Sequence, residues 1–123
     1  MASREFHTSK APSQRQLRVA EQVRHILAEI FMQEPLYQED MSSVSVTVSE
    51  VRMSHDLKNA TVFAAPLGQQ ATESFIAAIQ EMAPFLRHEL GKRAKLRFTP
   101  HLMFKIDTSF DEAKRVSDLL SDE

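Results

Sequence analysis

The chain has 123 residues, 42% hydrophobic and 26% charged, the length and composition of one globular domain. Its 15 lysines and arginines stand against 17 aspartates and glutamates, so a net charge of −2 names no partner. No cysteine is present, which excludes disulfide scaffolds, thiol chemistry and cysteine-ligated zinc; the two glycines, Gly68 and Gly91, lie too far apart for a P-loop, a dinucleotide fingerprint or a GXXG clamp.

The first dozen residues are polar and aperiodic and read as a flexible leader over 1–12. They lack the apolar core of a signal peptide, and no apolar run reaches the roughly 18 residues of a membrane span, so a cytoplasmic location is expected. Ser13-Gln14-Arg15-Gln16 then matches a capping box, in which a hydroxyl and a glutamine satisfy each other's backbone N–H groups. Leu17, Ala20, Val23, Ile26, Leu27, Ile30 and Phe31 follow at spacings of three and four, predicting a helix to about Gln33. Pro35 opposes its continuation.

The next pattern has period two. Val44, Val46 and Val48 alternate with polar residues, whereas Val51 and Met53 occupy the other parity, predicting a strand with a bulge near Ser49–Glu50. Ser54–Asn59 is turn material, and residues 60–66 form a second, antiparallel strand with Val62 and Ala64 on one face and Phe63 on the other. Phe75, Ile76, Ile79 and Met82 then predict a helix ending near Ala83. A second helix starts at Pro84, since proline is tolerated only in a first turn, and Gly91 is its expected stop. Leu96, Phe98, Leu102, Phe104 and Ile106 share one parity and predict a third strand buried on one face, with an irregularity at Pro100. Ser109-x-x-Glu112 ahead of Phe110, Ala113, Val116 and Leu119 predicts a short acidic tail helix within 109–123. The order is α-β-β-α-α-β, an α+β arrangement over residues 13–108 followed by the tail.

The charge is unevenly distributed along this order. Residues 84–110 carry a net +4 and residues 1–33 a net +2, whereas the three remaining stretches are each acidic. The basic candidates are Arg87, Lys92, Arg93, Lys95 and Arg97, which Arg15, Arg18 and Arg24, off the apolar stripe of the first helix, would extend. Strand alternation would project Lys95 and Arg97 together. Such a block serves either as a phosphate-contacting surface or as an ordinary solvated face.

Other constellations carry less. Ser54-His55-Asp56 holds the residue types of a hydrolase triad, but adjacent side chains cannot adopt its geometry, and Asp56 reads better as a turn former. His7, His25, His55, His88 and His101 show no ligand spacing, so no metal and no cofactor are expected. Met32, Met41, Met53, Met82 and Met103 read as core packing. Phe98 and Phe104 have the chemistry to stack bases, but their shared parity places them in the core.

The segments RVAEQVRHILAEIF, VSVTVSEVRMSHDLKNATVF, FLRHELGKRAKLRFTPHLMFKID and SFDEAKRVSDLL together resemble the bacterial ribosome-binding factor A proteins over about residues 14–120. The resemblance rests on Val51, Ser54, Asp56, Leu57, Ala60 and Val62 and on the L-R-x-x-P-x-L-x-F stretch. It implies a KH-like (type II) domain with a three-stranded sheet and a kinked helix pair lacking GXXG. The family's kink is written A-x-G; the corresponding Met82-Ala83-Pro84 departs at both outer positions, while Pro84 enforces a break by its own chemistry. The resemblance further implies a monomeric, non-enzymatic factor that binds free small (30S) ribosomal subunits. It would assist late maturation and 5′-end processing of the small-subunit (16S) rRNA near its 5′-terminal helix, especially in the cold. On this reading the basic residues contact rRNA. The competing expectation is a KH-like protein–protein adaptor whose basic face is incidental.

Overall fold

A computed structural model of the chain describes residues 11–34, 36–37, 43–68 and 70–107. The leader before residue 11, Met41 and the tail helix lie outside the described residues. Helix α1 (Gln14–Gln33) starts at the capping box: the Gln16 N–H donates to Ser13 Oγ at 3.1 Å and the Ser13 N–H donates to Gln16 Oε1 at 2.9 Å. Its inner face buries Ala20, Val23, Ile26, Leu27, Ile30 and Phe31, while Leu17, expected on that face, is 49% exposed in the first turn.

Strands β1 (Leu36–Tyr37) and β2 (Ser43–Val44) form a two-residue antiparallel ladder. The expected first strand is therefore divided at Ser45: Val44 pairs with Leu36, and the long strand β3 runs over Val46–Met53. β3 pairs antiparallel with β4 (Asn59–Pro66), and the register shifts between Val48 and Glu50, where the apolar parity slips. That bulge returns Val51 and Met53 to the buried face beside Val48.

Helix α2 (Glu73–Glu81) is capped by Thr72, whose hydroxyl accepts from the Phe75 N–H, and helix α3 (Ala83–Arg93) follows after Met82. Met82 keeps near-helical angles (φ −82°, ψ −4°), and its carbonyl accepts from the Leu86 N–H at 2.9 Å. The break is thus one residue long, with Pro84 inside the first turn of α3, where its missing N–H leaves no helical bond unmade. Gly91 does not stop α3, which runs two residues further. Its role is close approach: a Cβ there would lie 3.1 Å from Thr99 Oγ1.

Strand β5 (His101–Ile106) pairs parallel with β4, completing the order β3-β4-β5. The third strand begins five residues later than its parity suggested, because Pro100 has no N–H to donate and the chain before it is irregular. Val48, Val51, Met53, Ala60, Val62, Ala64, Leu102 and Phe104 form one core with the inner faces of the three helices, including Phe75, Ile79, Leu86 and Leu90. The methionine expectation fails in part: Met53 is buried, but Met32 and Met103 are exposed. At the outer edge of β5 the Gln80 amide donates to the Leu102 carbonyl (3.0 Å) and accepts from the Phe104 N–H (3.0 Å). No helix among the described residues is long and apolar enough to cross a membrane.

Candidate nucleic-acid interface

Three segments meet at one end of the fold around a cavity of about 340 Å³. They are the first turns of α1, the β3–β4 turn and the irregular connection from α3 to β5. Each is fixed by local chemistry. Gln16, already part of the cap, also donates its amide to the Met53 carbonyl at 3.1 Å, tying the start of α1 to the end of β3. In the turn, Ser54 Oγ donates to Asp56 Oδ1 at 2.6 Å and accepts from the Asn59 N–H, while Asp56 Oδ1 also accepts from the Lys58 N–H at 3.1 Å. This network carries Leu57 at φ +64°, a left-handed conformation that costs a leucine about 1 kcal/mol or more. The connection is held by Arg87, which donates to the carbonyls of Thr99 (2.8 Å) and Pro100 (3.2 Å), and by the His101 N–H, which donates to the Lys58 carbonyl at 2.9 Å.

Four of the eight basic residues singled out in the sequence line this cavity: Arg15, Arg18, Lys95 and Arg97. Lys58 joins them. It escapes a sequence reading because the parallel pairing of β4 with β5 brings the hairpin turn against the 94–100 connection. The other four residues do different work. Arg24 pairs with Glu21 on the surface of α1. Lys92 and Arg93 both pair with Glu89, at 3.3 and 3.2 Å, where they also complement the carbonyl end of α3; Arg93 further donates to Gln33 Oε1. The half-buried Arg87 anchors the connection.

The electrostatics follow this division. Hydrogen bonds from Lys92 and then Arg93 hold the Glu89 carboxyl below the usual range, and one from Arg24 does the same for Glu21. By contrast, Arg15, Arg18, Lys58, Lys95 and Arg97 make no ion pair with the described residues. Asp56 is the one carboxylate in the lining, and the Ser54 hydroxyl, then the Lys58 N–H, depress its pKa. Val19, Leu57, Leu96 and Phe98 supply apolar surface between the cations.

Phe98 corrects the expectation of burial. Phe104 is in the core at 4% exposure, but Phe98 is 40% exposed, because strand alternation does not extend back across Pro100. Its ring stands 5.7 Å from the Arg87 guanidinium and 5.9 Å from Lys58 Nζ, and meets His101 edge-on. Lys95 and Arg97 do reach the same groove, through an irregular connection rather than strand pleating. The Ser54 hydroxyl is turned to Asp56, with no histidine between them as a triad requires.

A family model for ribosome-binding factor A matches residues 15–120. This chain belongs to that family. Ribosome-binding factor A of Bradyrhizobium diazoefficiens is 51% identical over 108 residues, covering 88% of this chain and 75% of that protein. The Maricaulis maris protein is 46% identical over 121 residues, covering 98% of this chain and 86% of its own length. Among solved structures, the crystal structure of ribosome-binding factor A from Thermus thermophilus superposes with a TM-score of 0.60 at 22% identity, over 74% of this chain and 93% of that one. A model of the Thermus thermophilus factor fitted into a cryo-EM map of its 30S complex gives 0.58 at 24% identity, over 72% and 91%. Both share the α-β-β-α-α-β fold, which is built here without a GXXG loop.

Proposed function

We propose that this ribosome-binding factor A protein is a non-enzymatic maturation factor of the small ribosomal subunit, binding free 30S particles and docking on rRNA through the groove between α1, the β3–β4 turn and the 94–100 connection. The observation that carries the docking surface is the separation of the cations into two sets. Arg24 pairs with Glu21, and Lys92 and Arg93 share the carboxylate of Glu89, whereas Arg15, Arg18, Lys58, Lys95 and Arg97 are gathered around one cavity with no carboxylate within ion-pair distance among the described residues. Cations left unpaired side by side repel one another, and phosphates relieve that repulsion while releasing counterions. The 30S complex of the Thermus thermophilus relative agrees with the partner. Binding holds the rRNA in one conformation while the 5′ end is processed, by backbone neutralisation and shape rather than by bond chemistry.

Sucrose-gradient cosedimentation tests this. The wild-type chain is expected with free small subunits and not with assembled ribosomes, with a log–log salt slope of about −3.5 to −4.5 for five phosphate contacts. Lys58→Glu, Lys95→Glu and Arg97→Glu together should remove the protein from the 30S peak. Lys92→Glu with Arg93→Glu, which acts on the paired set, should weaken binding far less. Undiminished cosedimentation of the triple variant would overturn the assignment of the groove.

A further inference from the structure

We infer that the groove takes one unstacked nucleotide of single-stranded RNA, its base on the apolar lining against Phe98 and its flanking phosphates on the cations. The inference rests on the proposed docking surface and says what kind of RNA it accepts. Three features separate a nucleotide pocket from a surface for duplex backbone.

The first is depth. A cavity of about 340 Å³ is within the range of small-ligand clefts, roughly 300–1,000 Å³, whereas duplex phosphates need only an exposed ridge of cations. The second is the lining. Leu57, Leu96 and Phe98 put apolar surface among the five cations, and a duplex bound through its backbone would leave that surface wet. An unpaired base has a π-face to bury there, and stacking on an aromatic ring is the usual way proteins hold single strands. Phe98 suits this: it is 40% exposed, and its backbone lies in the connection that Arg87 clamps. The nearby cations stand 5.7 and 5.9 Å off its ring; Lys58, the exposed one, has freedom to exchange this weak contact for a phosphate. The third is Leu57 itself. Glycine or asparagine adopts φ +64° more readily, yet a leucine occupies the position, half-buried and lining the cavity. Its strain is offset where one side of its side chain packs against the core and the other lines the cavity.

Asp56 places one hydrogen-bond acceptor among the cations, which every base can meet, with an exocyclic amino group or, in uracil, with the ring N–H.

The test uses the full chain and fluorescently labelled RNA pentamers in anisotropy titrations at fixed salt. Single-stranded pentamers should bind more tightly than the same sequence in a blunt duplex. Phe98→Ala should weaken single-strand binding by between about fivefold and a hundredfold with an unchanged salt slope, because no cation is lost. Lys95→Ala should flatten that slope by about 0.7. Leu57→Asn, which suits the left-handed position, keeps the fold and should weaken the single strand while sparing duplex affinity. Circular dichroism melts of each variant identify any loss of fold. Equal affinity for duplex and single strand, or no effect of Phe98→Ala and Leu57→Asn in folded protein, would each overturn the pocket. If the triple charge reversal still abolishes 30S binding in that case, the docking surface stands and only the nucleotide pocket fails.

Discussion

Asp56 illustrates how one side chain serves both the turn and the groove. The Ser54 hydroxyl and the Lys58 N–H both donate to its Oδ1, and each bond favours the ionised form. The folded-state pKa therefore lies below the unfolded one. Its contribution to stability is fully present above the unfolded value and is lost as pH falls through the folded value, so the turn loosens only in acid, below about pH 4. In a carboxyl-carbon NMR titration, Asp56 should show a midpoint below that of an unstructured aspartate. Ser54→Ala should raise it toward the ordinary value; an unmoved midpoint would mean the hydroxyl does not set the shift. The turn-forming role of Asp56 is legible in the sequence, since Ser-x-Asp before a strand is turn chemistry. Its place beside Lys95 and Arg97 is not, because nothing local to residues 54–59 records the parallel strand that brings the 94–100 connection against them.

At the scale of elements, residues 94–100 decide what the groove can do. Periodicity extends the third strand across them, since Leu96 and Phe98 share parity with Leu102 and Phe104. Parity alone does not tell a strand from an irregular segment that happens to alternate. Pro100 is the visible warning, and the side chain that shapes the segment, Arg87, is an α3 residue whose cationic character invites a reading as an RNA contact. In the structure its guanidinium supports the carbonyls of Thr99 and Pro100. Arg87→Lys keeps the charge but loses the planar fork that reaches two carbonyls at once. Amide hydrogen exchange over residues 95–99 should accelerate in that variant while the α1 core amides, around Val23 and Leu27, stay protected. Uniform protection would show that the connection is held without Arg87. The helices and the hairpin were readable because caps, proline and the slipped parity at Ser49–Glu50 are local signals with one physical solution each.

For the whole molecule, segregation of charge matters more than its sum. A net charge of −2 conceals a basic groove assembled from three distant segments, and most of the remaining described cations are spent on neighbouring carboxylates. Sequence identifies the basic block but not which of its members are already satisfied; that requires knowing that Glu89 takes both Lys92 and Arg93. The three-stranded sheet also has an open end at β5, and there the Gln80 side chain acts as a one-peptide surrogate strand. Its amide occupies the carbonyl of Leu102 and the N–H of Phe104, the groups that a strand from another copy would seek. Gln80→Leu should leave both groups without a protein partner, and light scattering and sedimentation of the variant should rise with concentration more steeply than those of the wild-type chain. No difference between the variant and the wild-type chain at any concentration would assign that protection to another part of the edge. One glutamine on a helix thus finishes a sheet to which it does not belong.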